Sequence, residues 1–400
     1  MINVDFHIHS RYSGGTSDKM SIEVIAKQAK LKGLDVVGSG DCLHPLWRKH
    51  LKETLSDDLT YDGCRFILTC EVEDSRRVHH LILFPSFSAV DFLYENLKKH
   101  SPNITKDGRC TLRLNGAEIV EFAKEASCEV GPCHAFTPWT AIYKEFDSLK
   151  DCYQDQTRRI HFLELGLSAD TELADQISEL KNLTFMSNSD AHSPWPHRLG
   201  REFNRLKIKE VSYSEIVAAI RRKKGRRFTL NVGLDPKLGK YHRSACIKCY
   251  EKYSLKDAIS MRWRCECGGR IKKGVFDRIS ELSDRKNVHP QHRPPYIKTA
   301  PLSEIISLTT GYKDIYSKKV QSMWKALVER FSSEIAVLLD ASYAELSEVS
   351  TQEIAKSIVS YREGKMRIEE GGGGRYGKVI LEKALEREVV PKQRSLDAYF

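Results

Sequence analysis

His7-Ile8-His9 sets two imidazoles two residues apart, and Ser189-Asp190-Ala191-His192 repeats the spacing with a carboxylate and an imidazole. In extended backbone, residues i and i+2 face the same side, so each pair can converge on one ion. A single His-x-His is weak. Here it stands with Asp41-Cys42-Leu43-His44, Glu71, His79-His80 and His134, enough nitrogen and oxygen ligands for a multinuclear site. A carboxylate such as Glu71 can bridge two divalent ions at the separation that in-line displacement at phosphorus requires. Such a site would activate water for hydrolysis by in-line displacement, and Asp190, Glu71 and His192 are expected to carry that chemistry. Satisfied core histidines would explain any one of these side chains but not the set. No Ser/His/Asp order or reactive-cysteine motif competes, and Cys42 and Cys133 read as small buried residues.

A second constellation is made of sulfur. Cys246-Ile-Lys-Cys249, fifteen residues, then Cys265-Glu-Cys267-Gly-Gly supply four thiolates in two close pairs, the pattern of tetrahedral structural Zn²⁺. With every position filled by sulfur, such an ion folds a module and leaves no place for substrate. The other seven of the eleven cysteines are scattered through the first 152 residues, which does not resemble a secreted disulfide framework and points to a reducing compartment.

Charge is concentrated around this module. Residues 201–300 hold 26 Lys and Arg against 10 Asp and Glu, a net of +16, while the remaining 300 residues net −6. A basic segment beside a near-neutral remainder suggests a polyanionic partner, nucleic acid ahead of membrane because no basic helix with a broad apolar face accompanies it. Arg262, Arg264, Lys272 and Lys273 interleave with Trp263, and the run Arg221–Arg227 precedes them. Lys and Arg neutralise phosphates and an exposed aromatic stacks on bases; Trp263 serves equally as the module's own core. Arg198, Arg201 and Arg205 follow the last metal motif directly and can clamp the scissile region.

The elements that must position these residues form a repeating β/α series. Val4 to His9 alternates like a strand, Ile22 to Leu31 has a helical period, and Val36-Val37, Phe66 to Leu68 and His80 to Phe84 read as strands. Helical patterns follow at Ile119 to Ala126, Thr171 to Leu180 and Tyr213 to Lys224, with strands at Phe162 to Leu165 and Thr184 to Met186. Such a series over about 230 residues predicts a sheet covered by helices, best closed as a barrel whose strand ends gather distant residues on one face. A break is expected at Asn231 to Lys240, an extended connector over the proline-rich residues 286–301, and a largely helical tail from Leu302. The tail is interrupted by Gly371-Gly-Gly-Gly374, which could approach a phosphate backbone or be a solvated loop; it lacks the Lys-Ser/Thr of a nucleotide P-loop.

His7-Ile-His9-Ser10, Ser17-Asp18, Asp41-x-x-His44, Glu71, His79, His134 and Ser-Asp190-Ala-His192 resemble the motifs of the polymerase and histidinol phosphatase (PHP) superfamily. The resemblance implies a distorted seven-stranded β/α barrel of the α/β class with a trinuclear site. It would place His7, His9, Glu71 and Asp190 on a first ion, Glu71, His79 and His134 on a second, and Asp18, His44 and His192 on a third. His80 should point to the opposite face from its neighbour, and Asp41 fits better as an acceptor that orients a histidine. The last residues, Gln393-Arg-Ser-Leu396-Asp-Ala-Tyr399-Phe400, look like a peptide that hooks onto a replication sliding clamp; a terminal helix on its own domain is the other reading.

Barrel, four-cysteine module, basic segment and clamp-like terminus together are similar to the endonuclease Q family of DNA repair enzymes. This implies nicking on the 5′ side of uracil, hypoxanthine and abasic sites to leave a 3′-hydroxyl and a 5′-phosphate. The implied organisation is a barrel over 1–235, the zinc module and connector over 236–300, a helical DNA-binding region over 301–390 and the clamp peptide over 391–400. The catalytic cofactors would be two or three divalent ions, Zn²⁺, Mn²⁺ or Mg²⁺, beside the structural Zn²⁺. Partners would be damaged DNA and the sliding clamp, with no membrane and a monomer favoured. No membrane span or secretory signal is expected, so the place of action would be the cytoplasm at the nucleoid of an archaeal or bacterial cell. Another PHP exonuclease or small phosphoesterase, or a noncatalytic DNA-binding module, are the alternatives.

Overall fold

The computed structural model describes residues 1–284 and 289–380, so the expected clamp peptide with Gln393, Leu396, Tyr399 and Phe400 lies outside the described residues. Short runs rich in β-branched and aromatic residues form the strands. In chain order they are β1 (Ile2–Asp5), β2 (Val36–Gly38), β3 (Thr60–Tyr61), β4 (Cys64–Ile67), β5 (Thr69–Glu73) and β6 (His79–Leu83). Then follow β7 (Cys110–Thr111), β8 (Glu129–Pro132), β9 (Phe162–Glu164), β10 (Thr184–Met186), β11 (Phe203–Lys207) and β12 (Arg227–Gly233). The last are β13 (Ala245–Cys246), β14 (Ile271–Lys272), β15 (Tyr296–Lys298), β16 (Arg367–Glu369) and β17 (Lys378–Ile380).

The class is mixed α/β. The largest sheet runs β15-β12-β11-β1-β2-β4-β3, with β1, β2 and β4 parallel to one another and β11 antiparallel to both β1 and β12. A second sheet runs β7-β5-β6-β8, and β9 pairs in parallel with β10. Only Leu68 separates β4 from β5, so one chain segment leads from the first sheet into the second. Just past β1, Ile8 bridges Ala191 in parallel, and the Ala135 N–H donates to the Glu164 carbonyl at 2.9 Å. Helix Ile22–Lys32 lays Ile22, Ile25, Ala26 and Ala29 on one buried face, the i, i+3, i+4, i+7 stripe of an amphipathic helix. Gly33 ends it at φ 94°, a left-handed conformation that costs glycine little. No helix of the described residues is long and apolar enough to cross a membrane.

Several elements differ from their sequence pattern. The first strand stops at Asp5, so His7 and His9 stand beyond its regular part; there the buried Asp5 carboxylate accepts from the Ser189 hydroxyl and the Gly200 N–H. Asn231 does not open a break but lies in β12, where its side chain donates to Phe185 O and Asn204 Oδ1. The helix expected over Thr171 to Leu180 lasts one turn, Thr171–Ala174, because the chain turns at Asp175, whose fully buried carboxylate is held by Arg293 at 2.8 Å. The helix from Tyr213 ends at Ile220, four residues early: Arg222 and Lys224 have left-handed backbone, and the Arg222 guanidinium reaches Thr184 and Asn182.

Residues 301–365 carry helices Leu302–Thr310, Lys318–Phe331, Tyr343–Val349 and Gln352–Arg362, which enclose an apolar cluster of their own around Leu302, Ile306, Leu327, Leu346 and Ile354. Each such aliphatic side chain contributes about 1.5–3 kcal/mol on burial. A buried ion pair fastens this unit to the first helix: Lys32 Nζ lies 2.8 Å from Glu334 Oε1, with both side chains 1% exposed. Pro196 O accepts from the same ammonium, and Trp324 Nε1 and the Leu302 N–H donate to the carboxylate. Removing one partner strands the other charge in the interior. Glu334→Ala should therefore destabilise the protein by about 3–5 kcal/mol, read as a lower urea midpoint; an unchanged midpoint would refute the coupling.

Candidate metal centre

The middle of β5 and the ends of β1, β6, β8 and β10 bring seven ionisable side chains to one place. Glu71 points inward from the middle of β5, between Cys70 and Val72, which face the apolar core on the other side. Its Oε1 lies 2.7 Å from His79 Nδ1, 2.9 Å from His134 Nε2 and 3.6 Å from His7 Nε2. Its Oε2 lies 3.3 Å from His9 Nε2 and 3.5 Å from Arg109. Asp190 Oδ1 completes the group, 3.1 Å from His9 Nε2, 3.8 Å from His7 Nε2 and 3.5 Å from His192 Nδ1.

His7, His9, His79 and His134 each have one nitrogen backed by the protein and the other turned to this space, while His192 is held through its Nδ1. Glu164 holds His7 Nδ1 at 2.8 Å, Asp41 holds His9 Nδ1 at 3.1 Å, and Glu73 holds His79 Nε2 at 3.2 Å. Thr137 Oγ1 lies 3.2 Å from His134 Nδ1, and His192 Nδ1 donates to the Asp190 carbonyl at 2.9 Å. This is how metal-ligating histidines are oriented. His7 Nε2, buried and aimed between Glu71 and Asp190, has no hydrogen-bond partner, which a divalent cation in the same space would supply. The donor set of imidazole and carboxylate suits such a cation.

Electrostatics bind the group together. Burial disfavours the charged form of His7 and His9, yet Glu164 and Glu71 at the first and Asp41 at the second outweigh it and hold both well above the ordinary histidine range. Burial pushes Glu71 up, and His79 and His7 reverse this, holding it well below the usual carboxylate range. Asp190 is likewise lowered, against its burial, by the His9 hydrogen bond and the charges of His7 and His9. Three of the polar residues here, Asp41, His134 and Asp190, have left-handed backbone at φ 47°, 29° and 48°. Strain of about 1–3 kcal/mol per residue persists only where surroundings over-determine it. Gly166 is one such surrounding: a Cβ there would stand 2.6 Å from His134 Cβ.

Not every expected ligand joins the group. His44 caps helix Pro45–Thr54 by accepting from the Trp47 N–H and stacks on Tyr12 at 4.5 Å. Asp18 is exposed in a turn, and among the described residues its carboxylate makes no hydrogen bond or ion pair. His80 faces away, bonded to Tyr153 and Asp74. Of the expected arginines, Arg201 is held by Ser189 O beside Asp190 and Arg198 is exposed, whereas Arg205 bonds Asn3 and faces Asp340. Glu164 and Arg109 were not anticipated. A lone acid in Phe-Leu-Glu-Leu looks like any strand residue, and an arginine after Lys-Asp-Gly looks like a surface turn.

The four cysteines also converge, their sulfurs all within 4.8 Å of one another. Cys246 and Cys267 sulfurs are 3.5 Å apart, as are those of Cys249 and Cys265, close to the edge of about 3.8 Å that tetrahedral Zn–S bonds of 2.3 Å give. Gly269 is needed there, since a Cβ would lie 2.4 Å from the Cys246 sulfur. Arg262 and Arg264 are exposed on this module. Trp263 is half-buried against its core, with Lys273 Nζ 5.1 Å from the ring centre, and Lys272 faces a different indole. The glycine run reaches the module too: the Arg243 N–H donates to Gly371 O and a Cβ on Gly373 would strike Cys246 O.

Comparison with known proteins follows this architecture. Residues 301–365 match the family described as MJ0043 C-terminal domain. The chain is 50% identical over 252 residues to protein MJ0043 of Methanocaldococcus jannaschii, covering 62% of this chain but only 31% of that protein. It is 30% identical over 404 residues to YqxK of Bacillus subtilis, covering 94% of this chain and 99% of that one. The crystal structure of the lesion-specific endonuclease PfuEndoQ from Pyrococcus furiosus superposes with a TM-score of 0.92 at 50% identity, over 100% of this chain and 99% of that one. That of endonuclease Q with a 27-mer duplex carrying an abasic lesion at its active site gives 0.89 at 51% identity, over 96% and 98%.

The backing carboxylate of His7 provides a test that does not depend on substrate. Glu164→Gln should weaken Mn²⁺ binding by about 10–100-fold in calorimetric titration. In the unaltered protein affinity should strengthen from about pH 6 to about pH 8, because the ion must displace protons held on histidines of raised pKa. Equal affinity in both proteins at both pH values would refute the assignment.

Proposed function

This chain belongs to the endonuclease Q family, and from that membership we propose that it is a metal-dependent, lesion-specific DNA repair endonuclease. The bond it cuts is the phosphodiester 5′ of a deaminated base, uracil or hypoxanthine, or of an abasic site, leaving a 3′-hydroxyl and a 5′-phosphate. The observation that carries the reading is the set of five imidazoles around Glu71 and Asp190, four of them backed on one nitrogen and turned to the carboxylates with the other. His7, His9, Glu71 and Asp190 would hold one ion and Glu71, His79 and His134 a second; Asp18, His44 and His192 would form the third set. Bound divalent ions supply Lewis acidity, which neutralises phosphate charge and makes water a nucleophile near neutral pH.

The chain's own residues orient the substrate. Arg109, half-buried beside Glu71, and Arg201, pinned to Ser189 O, present guanidinium groups at the rim where a phosphodiester must lie. Exposed Arg198, Arg262 and Arg264, with Lys272, Lys273 and Trp263, extend this positive surface toward the four-cysteine module, in keeping with a duplex partner. Arg205 would act only by fastening β11. The four sulfurs would hold a structural Zn²⁺ that shapes this surface. Parallel contact of Ile8 with Ala191, and the run from β4 into β5, support closure of β1, β2, β4/β5, β6, β8, β9 and β10 into one distorted seven-stranded barrel over residues 1–235. A basic repair enzyme of this kind would work at the nucleoid as a monomer.

End-labelled duplexes with one deoxyuridine, deoxyinosine or abasic site, incubated with Mg²⁺, Mn²⁺ or Zn²⁺, should show a single nick directly 5′ of the lesion. Asp190→Asn should lower the rate at least about 100-fold while leaving DNA affinity within about threefold. Cleavage by the variant at the parent rate would refute the metal assignment, and progressive shortening from an end would make the enzyme an exonuclease. Deletion of Gln393 to Phe400 should spare nicking of free DNA and abolish co-elution with a sliding clamp; undiminished co-elution would exclude the clamp peptide.

A further inference from the structure

A nucleotide is recognised by a flat apolar face for its base and unpaired positive charge for its phosphate. Both stand together beside the metal centre, on Trp139, so far without a role, and Lys272, so far only one of several cations of the basic surface. The loop of residues 134–141 is tied at both ends to metal-facing histidines: Thr137 Oγ1 lies 3.2 Å from His134 Nδ1, and the Thr140 carbonyl accepts from the His79 N–H at 3.0 Å. Between these ties the Trp139 carbonyl lies 2.7 Å from Thr137 Oγ1. Trp139 is nevertheless 54% exposed. Its ring stands nearly perpendicular to that of Tyr241, 5.9 Å between centres, and Lys272 Nζ sits 4.5 Å from its centre. The loop belongs to the metal domain and Lys272 to the four-cysteine module, so this pair spans the two.

Lys272 is an unpaired cation in surroundings where most cations are matched. Lys144 is matched by Glu145, Lys273 by Glu281 and Arg278 by Asp147. The Lys272 ammonium has no carboxylate partner among the described residues, and the charges acting on it, Arg270 and Lys144, are both positive. A cleft of about 380 Å³ opens here, lined by Phe136, Pro138, Lys144, Lys272, Lys273 and Arg278, within the size range of small-molecule sites.

We propose that Trp139 and Lys272 form a nucleotide subsite, in which the indole stacks on a base of the cut strand unstacked beside the scissile phosphate and Lys272 takes the adjoining phosphate. The proposal rests on the DNA-endonuclease reading for its substrate. It differs from a merely structural cation–π clamp in requiring the exposed ring to meet DNA.

The probe is an abasic duplex with 2-aminopurine placed in turn at successive positions flanking the lesion. Bound to Asp190→Asn protein, one position should lose fluorescence by stacking, and the Asp190→Asn/Trp139→Ala protein should restore it. In single-turnover nicking, Trp139→Ala should raise the half-saturating DNA concentration on the order of tenfold, with Trp139→Phe recovering most of it. Lys272→Gln should weaken binding and reduce its salt dependence. No position whose signal depends on Trp139, or half-saturation within about twofold of the parent in Trp139→Ala, would overturn the subsite. Binding without nicking by the parent protein would defeat the endonuclease reading, and the fluorescence comparison would still decide the subsite; absence of DNA binding would refute both.

Discussion

The Glu71 carboxylate is taken almost wholly out of water, and four imidazoles and one guanidinium reach its two oxygens. An isolated buried carboxylate costs several kcal/mol, and only partners on every side offset that. Those partners come from segments far apart in sequence, each of which must end at the right height for the group to close. The alternation of β5, which sends Cys70 and Val72 into apolar surroundings and Glu71 the other way, is therefore the constraint that the placing of every neighbouring strand must satisfy.

Around that point the chain spends polar groups freely. Asp5 is pushed by burial up to about 6 even as Ser189 and Gly200 donate to it, and it fixes the turn that carries Asp190. Asp41 accepts from the Ser10 N–H and the Ser10 and Ser13 hydroxyls as well as holding His9. Such networks gain rigidity only when every member is satisfied. The outlying units are seated on the same frame: Arg278 donates to the Tyr143 and Phe146 carbonyls, and Lys32 meets Glu334. Surface that faces substrate is thus carried on packed elements with little freedom to drift, a condition for holding reacting groups in line.

Much of the site could be read from residue types and spacing, because imidazoles and carboxylates at strand ends have few structural uses in such numbers. The two-residue spacing of His7 and His9 remained informative although both stand beyond β1. Alternation put His79 and His80 on opposite faces without deciding which one meets the metals, and the sulfur pairs were legible in their intervals. Glu164, Arg109 and Trp139 were illegible, since their roles come from what the fold sets beside them. Arg205 shows the converse: basic and close to the metal motif in sequence, it bonds Asn3 on the neighbouring strand. Left-handed backbone at Asp41, His134 and Asp190 leaves no mark in composition, and the turn at Asp175 needed a partner 118 residues away. For elements, the periods were sound where one face is apolar and failed where a buried polar contact overrode them.

The glycine run also sets an order of assembly. Gly371, Gly372 and Gly373 lie buried against the backbone of residues 237–246, and Gly371 and Gly374 donate to the Lys237 and Lys240 carbonyls. The four-cysteine module is thus sealed by a strap made about 100 residues after its last cysteine. During synthesis at roughly 5–20 residues per second, four thiols wait for seconds in a partly open module. Over that interval the four thiols depend on a reducing environment, so the lag between the last cysteine and the strap is a demand on assembly that the finished fold does not display.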